Sequence, residues 1–323
     1  MIVVTGGAGF IGSAVVWKLN ALGQGDVLVV DALGTGEKWR NLPGLRYSEY
    51  RHKDDFRRSL AQGGNPSRVE AVVHMGACSA TTERDADYLH DNNTRYSLEL
   101  CRWCLENGVR FINASSAATY GDGAQGFQDG SEGLERLRPM NMYGYSKHLF
   151  DLAARREGWL DRVASLKFFN VYGPNEYHKG DMRSVACKAF EQISAGGPVR
   201  LFRSHRDGWE DGGQLRDFVY VKDCAEVVCW LLEHPEVGGV FNVGTGKARS
   251  FRDLALAVYA AMGEKPRIEY VDMPEAIRDT YQYFTEAPMD RLREAGYHAP
   301  FTSLEDGVGD YVRGYLEAQT PWL

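Results

Sequence analysis

The run Thr5-Gly6-Gly7-Ala8-Gly9-Phe10-Ile11-Gly12 constrains this chain more than any other segment. It follows an apolar, β-branched stretch over 2–4 and leads into Ile11, Val15, Leu19 and Leu22 at helical spacing. Residues without bulky side chains let the backbone turn sharply between strand and helix, and let a pyrophosphate approach it. The helix start then offers free N–H groups and the positive end of a dipole. The run fits GxGxxG (Gly7, Gly9, Gly12) and GxxGxxG (Gly6, Gly9, Gly12) alike. Asp31 closes the next apolar run, 19 residues after Gly12. That is close to the ~20 expected of a carboxylate that binds an adenosine ribose. An acid here favours NAD, because it repels a 2′-phosphate. Lys38 and Lys53 are each able to swing over that ribose and bind the same phosphate. The residues alone therefore leave NAD and NADP both open.

The rest of the chain alternates strands and helices. Further strands are predicted near 27–30, 71–73, 111–113 and 163–169, with helices over 85–107 and 143–156. Short, wholly apolar strands separated by helices imply a parallel sheet covered on both faces, a doubly wound (Rossmann) α/β fold. After 170 the pattern loosens, with helices near 183–195, 224–233, 251–262 and 304–316 and strands near 199–202 and 240–243. We expect a dinucleotide-binding domain over 1–170 with a return segment at about 217–245. A smaller mixed α/β substrate lobe then takes 171–216 and 246–323. The run 203–215 is rich in Gly, Asp and Arg and reads as a mobile surface loop. A ligand belongs in the crevice at the strand C-termini.

The formal charge of −7 arises without blocks of like charge, so a nucleic-acid partner has no electrostatic footprint. No window of 18 apolar residues predicts a membrane span, and the start of the chain lacks the basic and apolar regions of a secretory signal. The six cysteines show no framework spacing. Cys101-Arg102-Trp103-Cys104 is a CxxC inside a helical stretch, with no second pair to complete a zinc site. These thiols read as reduced core residues of a cytoplasmic protein, with no metal bound.

Tyr143 and Lys147 form a YxxxK, and residues i and i+4 share a helix face. The ammonium of Lys147 stabilises a phenolate at Tyr143. Bringing a tyrosine from about 10 to about 7 takes ~4 kcal/mol, within reach of a nearby cation together with a nicotinamide's charge. Such a phenolate removes an alcohol proton as hydride leaves the carbon. Upstream, Asn113-Ala114-Ser115-Ser116 ends a strand, and a serine there can hold the reacting oxygen.

The glycine turn, Ser116 and the Tyr143/Lys147 pair, in this order and at these intervals, resemble the extended short-chain dehydrogenase/reductase family. Sugar-nucleotide dehydratases of that family carry an Asp-Glu pair where this chain has Ala117-Ala118, which leaves water elimination without its acid–base pair. The segments Gly76-Ala77-Cys78-Ser79, Asp91-Asn92-Asn93, Phe169-Asn170-Val171-Tyr172-Gly173-Pro174, His178-Lys179-Gly180 and Arg216-Asp217-Phe218 are similar to the branch that epimerises ADP-heptoses.

That resemblance implies NADP, with Asp31, Ala32, Lys38 and Lys53 around the adenosine ribose and Phe10 and Ile11 at the pyrophosphate. Met75, Gly76, Ala77, Cys78, Ser79 and Asn92 would lie along the cofactor, with Lys147, Val171 and Lys179. Ser116, Asn170, Asp181, Lys188, Phe202, Arg203, Ser204, Arg216 and Tyr281 would line an ADP-heptose pocket. It also implies a homo-oligomer, typically a pentamer. The chain departs from the branch at Ala32 (usually Asn), Met75 (usually an acid), Asp181 (usually Ser) and Lys188 (usually His). The implied reaction inverts an alcohol carbon by transient oxidation, with Tyr143 and Lys179 as opposed acid/base groups. Another nucleotide-sugar epimerase or reductase shares this core. A non-catalytic dinucleotide sensor is a different class of outcome, though the retained Tyr–Lys pair speaks against it.

Overall fold

Wholly buried runs of four to seven residues build the centre of the molecule. A computed structural model describes residues 1–64, 69–278 and 281–323; positions 65–68 and 279–280, which fall within the expected lobe ranges, lie outside the described residues. The strands are β1 Ile2–Thr5, β2 Val27–Asp31, β3 Glu49–His52, β4 Ala71–His74, β5 Arg110–Ser116 and β6 Val163–Phe168. They continue with β7 Asn170–Tyr172, β8 Val199–Phe202, β9 Leu215–Tyr220, β10 Gly239–Val243, β11 Ala248–Ser250 and β12 Ile268–Val271. Seven of them form one parallel sheet in the order β10-β6-β5-β4-β1-β2-β3. Strand order reverses between β1 and β4, the place where such sheets open a crevice.

Alternation along the strands feeds two apolar layers. Val4, Val29, Val73 and Ile112 pack with Val15 and Leu19 of the helix Phe10–Ala21 and Val228 of the helix Val221–Glu233. Val3, Leu28, Val72 and Phe111 pack on the other face with Leu100 of the helix Tyr96–Glu106 and Phe150 of the helix Met142–Arg156. Burial on both faces explains why these strands read as unbroken apolar runs. β3 escaped that reading because Glu-Tyr-Arg-His is an edge strand with no aliphatic residue.

The helix expected over 85–107 is one rod with an altered middle. A π-helical turn, His90–Arg95, separates Ala86–Leu89 from Tyr96–Glu106. It turns Asn93 and Thr94 inward, where Asn93 Nδ2 donates to Ser146 Oγ at 3.0 Å and Thr94 Oγ1 to the Ser146 carbonyl at 2.8 Å. This is the use π-bulges commonly serve, re-aiming polar side chains beside a site. Cys101 and Cys104 are buried, free thiols in that helix, and burial pushes Cys101 up to about 12.

Two small sheets flank the main one: β11-β9-β7, and the parallel pair β12-β8. The 203–215 segment is irregular but tied down. Ser204 N donates to Asp211 Oδ1 at 2.8 Å, Gly212 N to the Phe202 carbonyl at 3.0 Å, and Trp209 meets Tyr283 edge-on. Among the described residues no helix is long and apolar enough to cross a membrane, and no group of three His, Cys, Asp or Glu is placed to hold a metal ion.

Candidate active site

One cleft of about 1080 Å³ opens at the strand C-termini. The glycine turn forms one end of it, contributing Gly6, Gly9, Phe10, Ile11 and Gly12. Gly9 caps the helix Phe10–Ala21 without any side-chain bond, so the first-turn amides are left for a ligand. Gly12 is required by close approach: a Cβ there would stand 2.1 Å from the Gly6 carbonyl oxygen. We expect Gly12→Val to keep secondary structure by circular dichroism but to co-purify with at least about tenfold less nucleotide, ~1.4 kcal/mol of binding. Full nucleotide content after acid extraction would show that the turn does not hold it.

Asp31 ends β2 and is buried. Its carboxylate accepts from the Ala8 amide at 2.9 Å, the Ala32 amide at 2.7 Å and Lys38 Nζ at 2.7 Å. Lys38, which also lines the cleft, is thus paired with the acid at the end of β2. Met75, Gly76, Ala77, Cys78 and Ser79 line the cleft beside the turn.

The chemical end is carried by the helix Met142–Arg156. Asn141 Oδ1 caps it by accepting the Gly144 amide at 2.8 Å. A Cβ at 144 would lie 2.7 Å from the Ala118 carbonyl, so glycine lets this helix settle onto the turn that ends β5. That contact brings Ser116 and Tyr143 together. Ser116 also caps the 117–120 turn, accepting the Ala118 amide at 3.1 Å. Burial pushes the Tyr143 phenol up; the Ser116 hydroxyl, hydrogen-bonded to it, pulls it partly back, and Cys78 adds a further upward push. The phenol therefore sits above its ordinary value. The drop expected from the sequence needs a positive nicotinamide in addition to the lysine. Lys147 is 2 % exposed, and its Nζ has no hydrogen-bond partner. Burial lowers it to about 8, against the pull of Asp151. An orphaned ammonium beside a tyrosine and an open helix start fits a dinucleotide ribose, and these residues would hold one.

Asn170, Val171, Arg216 and Tyr281 also line the cleft. The Arg216 guanidinium lies 5.1 Å from the Tyr281 ring centre and 5.6 Å from Phe251, and donates to the Leu215 carbonyl at 2.8 Å and to the Gln282 carbonyl. Lys179 lines the cleft with its ammonium 5.3 Å over the ring of Phe10, at the start of the helix Phe10–Ala21. Burial lowers its pKa, while Glu176 opposes that.

Eight sequence candidates do not line this cleft. Ala32 contributes only its amide to Asp31. Lys53 and Asn92 bind each other, Nζ to Oδ1 at 2.6 Å. Lys188 is turned to the Asp181 carbonyl at 2.6 Å. Phe202 stands behind Tyr281, edge-on at 6.1 Å. Arg203 lies 3.7 Å from Asp272, and Ser204 is bound into its own loop by Asp211.

The sequence reading missed Asn41. It is buried, and its Nδ2 donates to the Ala8 carbonyl at 2.9 Å and the Asn175 carbonyl at 3.1 Å. It staples the glycine turn to the segment carrying Lys179. Only its place in a polar stretch after Lys38 could have drawn notice, and that does not distinguish it from surface.

The chain belongs to the NAD dependent epimerase/dehydratase family, whose sequence model matches residues 2–244. It is 64% identical over 323 residues, the whole of both chains, to ADP-L-glycero-D-manno-heptose-6-epimerase of Nitratidesulfovibrio vulgaris. It is 47% identical over 332 residues, all of both chains, to the protein of the same name from Fusobacterium nucleatum. Among solved structures, the Helicobacter pylori ADP-L-glycero-D-manno-heptose-6-epimerase matches with a TM-score of 0.79 at 26% identity, covering 97% of this chain and 95% of that one. Thermus thermophilus UDP-glucose 4-epimerase in complex with NAD matches at 0.75 and 30%, covering 96% and 97%.

Proposed function

We propose that the chain interconverts ADP-D-glycero-D-manno-heptose and ADP-L-glycero-D-manno-heptose by transient oxidation at C6″, with NADP bound. The observation that carries this is the meeting of Ser116, Tyr143 and Lys147 in one cleft of a chain that matches heptose epimerases along its whole length. When bound, the dinucleotide would supply reversible hydride chemistry at C6″. Tyr143 takes or gives the hydroxyl proton on one face of the carbon, and Lys179 does so on the other. Ser116 holds the oxygen, and Lys147 tunes the phenol. Lys38 would meet a 2′-phosphate, and Arg216 with Tyr281 and Asn170 would hold the ADP-heptose. On this reading, 1–170 with about 217–245 binds the cofactor, and 171–216 with 246–323 binds the sugar nucleotide. The product supplies heptose for the lipopolysaccharide core, a role that calls for a cytoplasmic location.

The test is to incubate the enzyme with each ADP-heptose and with UDP-galactose, in normal and deuterated water, and to identify the extracted nucleotide. We expect epimerisation of the heptose only, NADP in the extract, and no solvent deuterium at C6″. A second reading, a hexose 4-epimerase, is favoured by the likeness to the Thermus enzyme. Turnover of UDP-galactose without turnover of ADP-heptose would establish that one instead.

A further inference from the structure

Beneath the cleft lies a buried ionic cluster that the scheme above leaves unused. Asp151 and Lys167 are both wholly buried, with Nζ 3.3 Å from Oδ2. Asp151 follows Lys147 by four residues and Tyr143 by eight, so the three share one helix face. Its Oδ2 also accepts from Ser115 Oγ at 2.7 Å, and its Oδ1 from Ser165 Oγ at 2.7 Å. Lys167 in turn donates to Thr119 Oγ1 at 2.6 Å and sits 4.6 Å from the Tyr120 ring centre. Ser115 precedes Ser116 on β5, and Thr119 donates to the Ser116 carbonyl at 2.8 Å. The cluster therefore ties the reacting serine's strand to the helix of the reacting tyrosine.

The carboxylate is occupied on both oxygens and is not free to turn toward Lys147. Lys147 stays buried with no hydrogen-bond partner. A buried ammonium persists only where a fixed opposite charge stands near it. We propose that Asp151, clamped by Ser115, Ser165 and Lys167, is a positioning residue that keeps Lys147 an ammonium while leaving it unpaired for Tyr143 and the nucleotide ribose. The inference rests on the reading of Tyr143 and Lys147 as the acid–base pair.

Other ionisable groups face this region. His74 on β4 is held neutral by burial, down to about 3, between Thr5 and Ser97. His148, beside Lys147 and facing Lys167 and Arg138, is also lowered by burial. Asp129, whose charge acts on Lys167, is raised to about 6 by burial. Cys78 acts on Tyr143. Above pH 7 both histidines are neutral and Asp129 is charged, so Asp151 and Lys167 are the opposed charges to vary.

Their removal should move Lys147 in opposite directions. With lysine side chains labelled at Cε, and the Lys147 signal assigned by its loss in Lys147→Ala, NMR titration follows the group with no substrate present. We expect Asp151→Asn to lower the Lys147 midpoint by at least about one pH unit. Lys167→Met should raise it, because Asp151 then acts on Lys147 alone. Asp151→Glu should restore the wild-type midpoint. The alkaline limb of kcat/KM should follow the same three shifts. Should Asp151→Asn not fold, the double variant Asp151→Asn/Lys167→Met removes both charges and is expected to lower the midpoint as well. An unmoved midpoint in a folded Asp151 variant, or shifts of the same sign in both single variants, would overturn the proposal. Wild-type enzyme that leaves ADP-heptose untouched would instead overturn the function reading, and the titration would still decide the role of Asp151.

Discussion

Tyr143→Phe loses at least about 10³-fold in kcat, as expected when a positioned acid–base group is removed, and keeps its bound nucleotide. The substitution takes away one oxygen and leaves the ring. The helix cap at Asn141 and the contact of Gly144 with Ala118 do not involve the phenol, so the helix stays seated. The glycine turn and Asp31 also keep their bonds, because they lie after β1 and at the end of β2, away from the phenol's helix. What is lost is the hydroxyl hydrogen-bonded to Ser116, which on the proposed reading exchanges the proton at C6″ on that face. Ser116 and Lys147 remain, and neither replaces it: the serine is a poor base and the lysine is buried and charged at neutral pH. Turnover of ADP-heptose, measured beside the extracted nucleotide content, checks the point. Activity within about tenfold of wild type, a difference of ~1.4 kcal/mol in the barrier, would remove Tyr143 from the mechanism.

Local signals were enough to bring the glycine turn and Asp31 to one end of the cleft. The glycine turn, its flanking strand and helix, and Asp31 form a single contiguous βαβ unit, so spacing along the chain is also spacing in space. Tyr143 and Lys147 were legible for the same reason, being one helical turn apart. The substrate half was harder. Asn170, Arg216 and Tyr281 lie on separate segments and meet only through the fold. Lys188 and Asp181 face each other because the helix Val185–Ser194 begins at its Ser184 cap and directs Lys188 back along the preceding turn. No periodicity in the sequence reports that direction. Lys53 and Asn92 show a different limit: both were expected beside the cofactor, and side-chain pairing takes up each of them. Asp151 was invisible because a carboxylate on an amphipathic helix is normally solvated. Only the serines and the lysine arriving from β5 and β6 show that this one is in the core.

Lys179→Met separates two roles that a single cation can play. Methionine keeps a flexible apolar stem against Phe10 and removes the ammonium. If Lys179 is the second acid/base, inversion loses its partner on one face of the carbon while Tyr143 still serves the other. Protons then move on one side only, and the sugar returns to the epimer it started from. We expect kcat to fall by at least about 10², with KM within about threefold of wild type, since binding and chemistry separate in this way. A lysine that only grips phosphate gives the reverse, with weaker nucleotide retention or raised KM and kcat largely kept. Its place over Phe10, near open amides that suit a pyrophosphate, makes that outcome a real competitor. The pH dependence adds a second readout. Burial lowers Lys179, with Glu176 opposing. Each direction needs one of Tyr143 and Lys179 protonated and the other not, and both forms carry the same number of protons, so wild-type kcat/KM follows one bell-shaped pH profile in both directions. An acid/base Lys179 also sets a limb of kcat, which disappears in Lys179→Met, whereas a lysine that only grips phosphate sets a falling limb of kcat/KM and leaves kcat level through its pKa.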